Sequence, residues 1–410
     1  MIKYVVILGD GMPDYPLPEL GGKTPLQYAQ TPQMDSLVQR GETGMVVTVP
    51  DQMPAGSDVA NLSVFGYDPL RYYTGRSPIE AVAMGIQLDG TDVAFRCNLV
   101  TLSDDTPFAK KKMLDYSADE ISTPEAVQLI QEISNQLGSA AHGFYPGISY
   151  RHAMIWRNSL EELNCDLTPP HDIFNQEIGA YLPSGRSGRV ILDLMIRSSA
   201  ILPGHPVNRA RLEKGLKPAN SIWLWGQGKR PYLDKFMDKY GLNGSVISAV
   251  DLIKGLGICA GLTAETVPGA TGNITTDFSG KARRALDVLH GGKDFVYVHV
   301  EAPDEAGHRG ELETKIRAIE EIDEKVVKEI IAGLQDFPDF KVMVLSDHPT
   351  PLSLRTHTRE AVPFVICHKG ADLSNPGGEF SEPFAAGGLF FEKGYELMDY
   401  FIQKYRAVSF

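Results

Sequence analysis

The stretch Val342-Met343-Val344-Leu345-Ser346-Asp347-His348 joins a short apolar run directly to an acid and an imidazole. Apolar runs of this length bounded by polar residues read as buried strands, and strands buried on both faces belong to parallel sheets. The same pattern occurs twice more. Val5-Val6-Ile7-Leu8 leads into Asp10, and Phe295-Val296-Tyr297-Val298 precedes Asp304 and His308, which are four apart. One parallel sheet would bring all three ends to a single edge, and in open α/β sheets the functional crevice lies outside the carboxyl ends of the strands. His357 follows His348 by a short loop and would reach the same edge.

Singly, these residues have ordinary explanations. An aspartate after a strand, such as Asp10, is commonly a turn former. Asp304 and His308 share a helical face and need do no more, and a lone histidine such as His357 is more often structural than ligating. Together, at three strand ends, they offer the carboxylate oxygens and imidazole nitrogens that a hard-to-borderline divalent cation takes. Two ions roughly 4 Å apart can clamp a phosphoryl group and lower the pKa of a nucleophile. The candidate nucleophile is Ser57, which follows Gly56 at the expected start of a helix. Serine there is usually a cap. Metal coordination and helix N-terminal amides are, however, what a serine alkoxide needs to attack phosphorus. Gly21-Gly22-Lys23-Thr24 imitates the end of a phosphate-binding loop, but Leu17 stands where that loop needs its first glycine and Pro25 follows. It is read as an ordinary turn.

Strand-like stretches at 2–8, 45–49, 221–225, 245–248, 295–300, 342–345 and 364–367 alternate with amphipathic ones, which is the pattern of an α/β protein with a parallel sheet. A helix is predicted near Thr31-Pro32, with threonine as cap and proline in the first turn. A surface helix is predicted over 311–334, where Leu312, Ile316, Ile319, Ile330 and Leu334 fall at helical spacing. The middle of the chain differs: its segments are shorter, its prolines more frequent, and it holds none of the ligand candidates. The reading is therefore a discontinuous metal domain, 1–90 and 218–410, with an inserted smaller α+β domain at 91–217 that faces the site and binds substrate. Arg96, Arg151, Arg209 and Arg211 lie in the insert at strand ends or in a loop. Arginine grips phosphate and carboxylate through a rigid fork of donors.

Composition narrows the partners. A net charge of -13, from 52 acidic and 39 basic residues, disfavours nucleic acid, which needs a basic face. A local arginine cluster can still bind a small anion. No apolar run is long enough to span a bilayer, and no signal peptide is read at the N-terminus. Cys97, Cys165, Cys259 and Cys367 are scattered, which fits a reducing cytoplasm and argues against a thiolate zinc site. The oligomeric state is not read from the sequence.

Longer motifs carry a resemblance. Asp10, Ala55-Gly56-Ser57-Asp58, Glu301-Ala302-Pro303-Asp304-Glu305-Ala306-Gly307-His308, Ser346-Asp347-His348-Pro349-Thr350 and Thr356-His357-Thr358 resemble the archaeal-type, cofactor-independent phosphoglycerate mutases. Leu20-Gly21-Gly22-Lys23-Thr24-Pro25 and Gly66-Tyr67-Asp68-Pro69 extend the likeness over essentially the whole chain. The resemblance implies an α/β, alkaline-phosphatase-like metal domain and interconversion of 2- and 3-phosphoglycerate through a phosphoserine on Ser57. It also implies that no 2,3-bisphosphoglycerate is required. Asp304, His308 and His357 look like the ligands of one ion, and Asp10, Ser57, Asp347 and His348 those of another. Manganese is the usual metal of the family, with magnesium or zinc as alternatives. Longer bacterial mutases carry a lysine where Ala264-Glu265-Thr266-Val267-Pro268 has none, and Lys281 is the candidate to replace it. The alternatives are a homoserine kinase built on the same metal half, or a metal-dependent phosphatase.

Overall fold

The computed structural model describes residues 2–159, 164–373 and 375–403. In chain order its strands begin with β1 (Lys3–Gly9), β2 (Glu42–Val46), β3 (Val93–Leu102), β4 (Met113–Asp115) and β5 (His142–Tyr145). Next come β6 (Arg151–Trp156), β7 (Cys165–Asp166), β8 (Ser184–Gly185), β9 (Ser221–Gly228) and β10 (Gly244–Ile247). The last are β11 (Thr263–Glu265), β12 (Phe295–Val300), β13 (Phe340–Leu345), β14 (Val362–His368) and β15 (Leu389–Phe391). The chain forms two compact units, one of Met1–Tyr73 with Tyr232–Phe410, the other Thr74–Pro231.

The first unit is built on a sheet of order β11-β10-β12-β1-β13-β14-β2-β15. From β11 to β13 every pairing is parallel. The three strands read from the apolar runs, β12, β1 and β13, are neighbours at its centre, and every residue of β12 and β13 is buried. Val5, Ile7, Val296, Val298, Val342 and Val344 form one core with Ala282, Leu289, Ile319 and Ile330 from the covering helices. Each of the Val, Ile and Leu side chains contributes roughly 1.5–3 kcal/mol on burial. On the opposite face Tyr297 stacks on Phe65 with ring centroids 4.2 Å apart, which seats the helix Ser57–Val64.

Three local expectations change. Residues 364–367 belong to β14, which runs antiparallel to β13 and to β2. Residues 346–361 contain no crossover helix, so the chain re-enters the sheet at the edge where β13 left it, as an antiparallel pair allows. The helix Pro32–Arg40 forms, but the Thr31 side chain makes no capping bond. Asp323 caps it instead, accepting the Met34 and Gln33 amides at 2.8 and 3.1 Å. The expected long helix at 311–334 is interrupted: Leu312–Glu321 and Lys328–Leu334 flank a π turn, Ile322–Val327. Asp323 sits in that turn, in keeping with the habit of π bulges to re-aim a useful side chain.

The second unit is a five-stranded antiparallel sheet of order β4-β3-β6-β5, with β9 paired to β3. Val93, Phe95, Cys97 and Leu99 of β3 pack with Leu129 and Ile133 of the helix Thr123–Leu137 and with Leu194 of the helix Gly188–Ile201. This α+β unit is wider than the expected 91–217. Residues 221–225, read as part of the metal domain, form β9 and complete this sheet, and the helix Ser77–Ala83 supplies Glu80 to Arg96 of β3. The Gly21-Gly22-Lys23-Thr24 stretch is a turn, in which Thr24 caps a short helix through a capping box with Gln27.

Candidate active site

The carboxyl ends of β1, β12 and β13 deliver the ligand candidates together. Asp10 follows β1 directly. Asp304 and His308 lie on the helix Ala302–Arg309 after β12, Asp347 and His348 follow β13, and the loop beyond them returns His357. Asp10, Asp347 and His348 offer one donor atom each within 4.8 Å of one another, and so do Asp304, His348 and His357. The His308 Nε2 lies 2.9 Å from the His357 Nε2 and 3.3 Å from Asp304 Oδ2. His308 Nδ1–H donates to the Arg355 carbonyl at 3.0 Å, which turns Nε2 toward Asp304 and His357. Ser57 begins its helix with Oγ 3.0 Å from His348 Nε2. All seven expected side chains therefore meet in one place within the first unit.

The chemistry of this donor set fits divalent cations. Asp10 is 1% exposed, and its Oδ1 has no hydrogen-bond partner among the described residues. Burial, then the charges of Asp347 and Asp304, raise the Asp10 carboxyl well above the usual range. A dry pocket holding that many carboxylates favours positive charge, supplied either by protons or by cations. The hydrogen bond that His308 donates to the Asp304 carboxylate holds His308 up to about 9.

Several residues missed in the sequence hold these ligands. His299 Nε2 lies 3.0 Å from Asp10 Oδ2, and its Nδ1 lies 3.2 Å from Ser248 Oγ. Asn61 donates to Asp347 Oδ2 and to the Ser57 carbonyl, both at 2.9 Å, and accepts the Tyr297 hydroxyl at 2.7 Å. Thr350 donates to Asp304 Oδ1 at 2.5 Å. Glu301 also offers an oxygen within 4.8 Å of donors on Asp10 and Asp304. Signals existed for two of them: Asn61 is one helical turn from Ser57, and His299 is a polar residue inside a buried apolar run. Lys281 is fully buried with Nζ 3.0 Å from the His299 carbonyl, and burial lowers it to about 8.

The four arginines do not stay together. Arg96 and Arg151 lie on adjacent strands, with Arg96 opposite Ala153 and Asn98 opposite Arg151. The two-residue alternation puts both arginines on one face of the sheet, away from the helix-covered core. Arg96 is gripped by Glu80 through Nε and Nη2 at 2.8 and 2.9 Å, and its guanidinium lies 4.6 Å over the Trp225 ring. Arg76, not singled out in the sequence, also binds Glu80 at 2.7 Å. Arg211 corrects the expectation of a substrate clamp. It is 2% exposed and donates to Lys217 O, Glu125 Oε2 and Ala118 O, so it holds a loop and a helix start together. Arg209 is exposed on the same helix, Pro206–Glu213, which packs against Thr123–Leu137 in the helical layer behind the sheet.

Fold and site together fit a metal-dependent phosphotransferase. A sequence profile described as 2,3-bisphosphoglycerate-independent phosphoglycerate mutase matches residues 38–208. The chain is 51% identical to the "probable 2,3-bisphosphoglycerate-independent phosphoglycerate mutase" of Geobacter sulfurreducens, over 98% of this chain and 100% of the relative. It belongs to that family. The Methanosarcina acetivorans 2,3-bisphosphoglycerate-independent phosphoglycerate mutase is 50% identical over 92% of this chain and 93% of its own. Among solved structures, the cofactor-independent phosphoglycerate mutase of Thermoplasma acidophilum superposes with a TM-score of 0.66 at 26% identity, over 98% of this chain and 100% of that one.

Proposed function

We propose that this protein interconverts 2- and 3-phosphoglycerate, with the Ser57 hydroxyl accepting the phosphoryl group from one substrate oxygen and returning it to the other. The observation that carries the reading is the 3.0 Å approach of Ser57 Oγ to His348 Nε2, at the start of a helix and inside the acid–imidazole cluster. Asp304, His308 and His357 would hold one divalent cation, and Asp10, Ser57, Asp347 and His348 a second. Bound there, the ions would stabilise the serine alkoxide and the charge on the phosphoryl oxygens. Manganese is the expected metal, with magnesium or zinc as alternatives.

The chain's own groups do the rest. The helix start directs backbone amides at Ser57, which favours negative charge on it. Asn61 bonds both the Ser57 carbonyl and Asp347, which ties nucleophile and ligand into one rigid piece. In the second unit, Arg96 and Arg151 are proposed to hold the anionic ends of the glycerate, with Glu80 fixing the Arg96 fork. A mutase must keep water from the phosphoserine while the glycerate turns, which is the role proposed for the inserted unit. Arg209 and Arg211 leave the set, one in the helical layer and the other committed to internal partners. Four buried cysteines scattered along the sequence with no CxxC pair support a cytoplasmic location, and no described helix is long and apolar enough to cross a membrane.

The test is a mutase assay on chelated protein, repeated across divalent ions with neither nucleotide nor bisphosphoglycerate present. Interconversion under those conditions is expected, and an absolute requirement for nucleotide would favour a kinase instead. Ser57→Ala is expected to reduce turnover to background while uptake of the ion at Asp304, His308 and His357 stays close to wild type. Turnover surviving in that variant contradicts the nucleophile.

A further inference from the structure

We propose that Thr350 is the positioning residue that couples the two ligand groups: its single hydroxyl donates to Asp304 and accepts from His348. The inference rests on the paired-cation reading of the site, and its argument is one of proton counting. Thr350 Oγ1 is 2.5 Å from Asp304 Oδ1 and 3.3 Å from His348 Nδ1. An ionised carboxylate only accepts, so the threonine proton goes to Asp304. A hydroxyl has one proton, so toward His348 Thr350 can only accept. His348 Nδ1 must then carry the ring proton. That leaves Nε2 with its lone pair facing Ser57 Oγ at 3.0 Å, Asp347 Oδ2 at 3.3 Å and Asp10 Oδ1 at 3.6 Å. One hydroxyl thus orients a carboxylate of the Asp304–His308–His357 group and sets the tautomer of an imidazole in the other.

The site of Thr350 is built to hold it still. The residue is fully buried. A Cβ on Gly11 would lie 2.7 Å from its Oγ1, and one on Gly307 would lie 2.9 Å from its Cγ2. Both glycines adjoin ligands, Asp10 and His308, and both are needed small so that Thr350 can pass between them. Its carbonyl accepts Lys315 Nζ at 2.9 Å, and that ammonium is fixed in turn by Asp14 at 2.8 Å. Outer groups that fix a ligand's tautomer and orientation typically change metal affinity by about 10- to 100-fold when removed.

Two measurements decide it. Isothermal titration of the chelated full chain with Mn2+ should show two ions in the wild type. Thr350→Val keeps the shape and removes the hydroxyl, and should weaken both sites by about 10- to 100-fold, while Thr350→Ser restores both. Wild-type affinity at either site in Thr350→Val overturns the coupling. Fewer than two ions in the wild type overturns the paired-cation reading beneath it, which is a separable result. The second measurement needs no Thr350 variant to fold. In the chelated wild type, 15N spectra of labelled histidine, assigned with His348→Gln, should show His348 as the Nδ1–H tautomer. An Nε2–H tautomer or a doubly protonated ring overturns the assignment.

Discussion

At the scale of single residues, the site is organised around which atoms carry protons. His308 donates through Nδ1 to a carbonyl, and its Nε2 faces Asp304 and His357. Because Asp304 holds His308 up to about 9, the ring is a cation over the neutral range. An ion that takes Nε2 must expel that proton. Binding at this group should therefore weaken about tenfold for each pH unit below about 9, with about one proton released per ion near pH 7. Titration of chelated protein in two buffers of different ionisation enthalpy reads the release directly, and affinity flat from pH 6 to pH 8 contradicts it. His308→Ala should lower the proton release by about one and weaken one ion while sparing the other. The convergence of these side chains was legible for Asp10, Asp304, Asp347 and His348, which lie within four residues of a strand end, and for His308, one helical turn beyond Asp304. Ser57 and His357 lie more than ten residues past β2 and β13 and were suggested only by a glycine turn and a short loop. Arg211 was not legible, because whether a helical arginine points to solvent or into Glu125 and two carbonyls depends on packing between distant segments.

Among the elements, the helix Phe278–His290 carries a fully buried ammonium. Lys281 is its buried charge, with one carbonyl partner, and burial lowers its pKa from 10.5 to about 8. The sign follows from proton counting: between about 8 and 10.5 the unfolded chain binds more protons than the folded one. Stability should then rise with pH across that window and be reduced by a constant amount below it, on the order of 3 kcal/mol. Lys281→Met keeps the aliphatic stem. It should stabilise the protein by about 1–3 kcal/mol at pH 7 and remove the slope above pH 8. Denaturant titration at pH 7 and pH 10 measures both, and a variant destabilised at pH 7 would show that the ammonium is a net stabilising group. Element types were readable where periodicity was strong, as in β1, β12, β13 and the apolar stripe of 311–334. Two features were not. The π turn at Ile322–Val327 leaves that stripe nearly intact, and the cap of Pro32–Arg40 comes from Asp323, far away in sequence, rather than from adjacent Thr31.

For the whole molecule, β9 shows why the boundary of the insertion was misplaced. Its residues read as one more apolar strand, and only its pairing with β3 assigns it to the unit Thr74–Pro231. Pairing is a long-range property that local pattern does not carry. The division has a thermodynamic consequence, because every proposed ligand lies in the other unit. A cation that binds only the folded state stabilises what holds it, by about 2.7 kcal/mol when its free concentration is 100 times its dissociation constant. That corresponds to about a hundredfold slower exchange for amides that open only when the ligands separate. Chelation should therefore speed hydrogen exchange in β1, β12 and β13 by about two orders of magnitude for each ion removed and leave β3, β6 and β9 close to their metal-loaded rates. Mass spectrometry of peptides from both sets, with and without excess Mn2+, makes the comparison within one sample. Equal loss of protection in β3, β6 and β9 would mean that the ions stabilise the chain as a single cooperative body, and that the insertion does not unfold on its own terms.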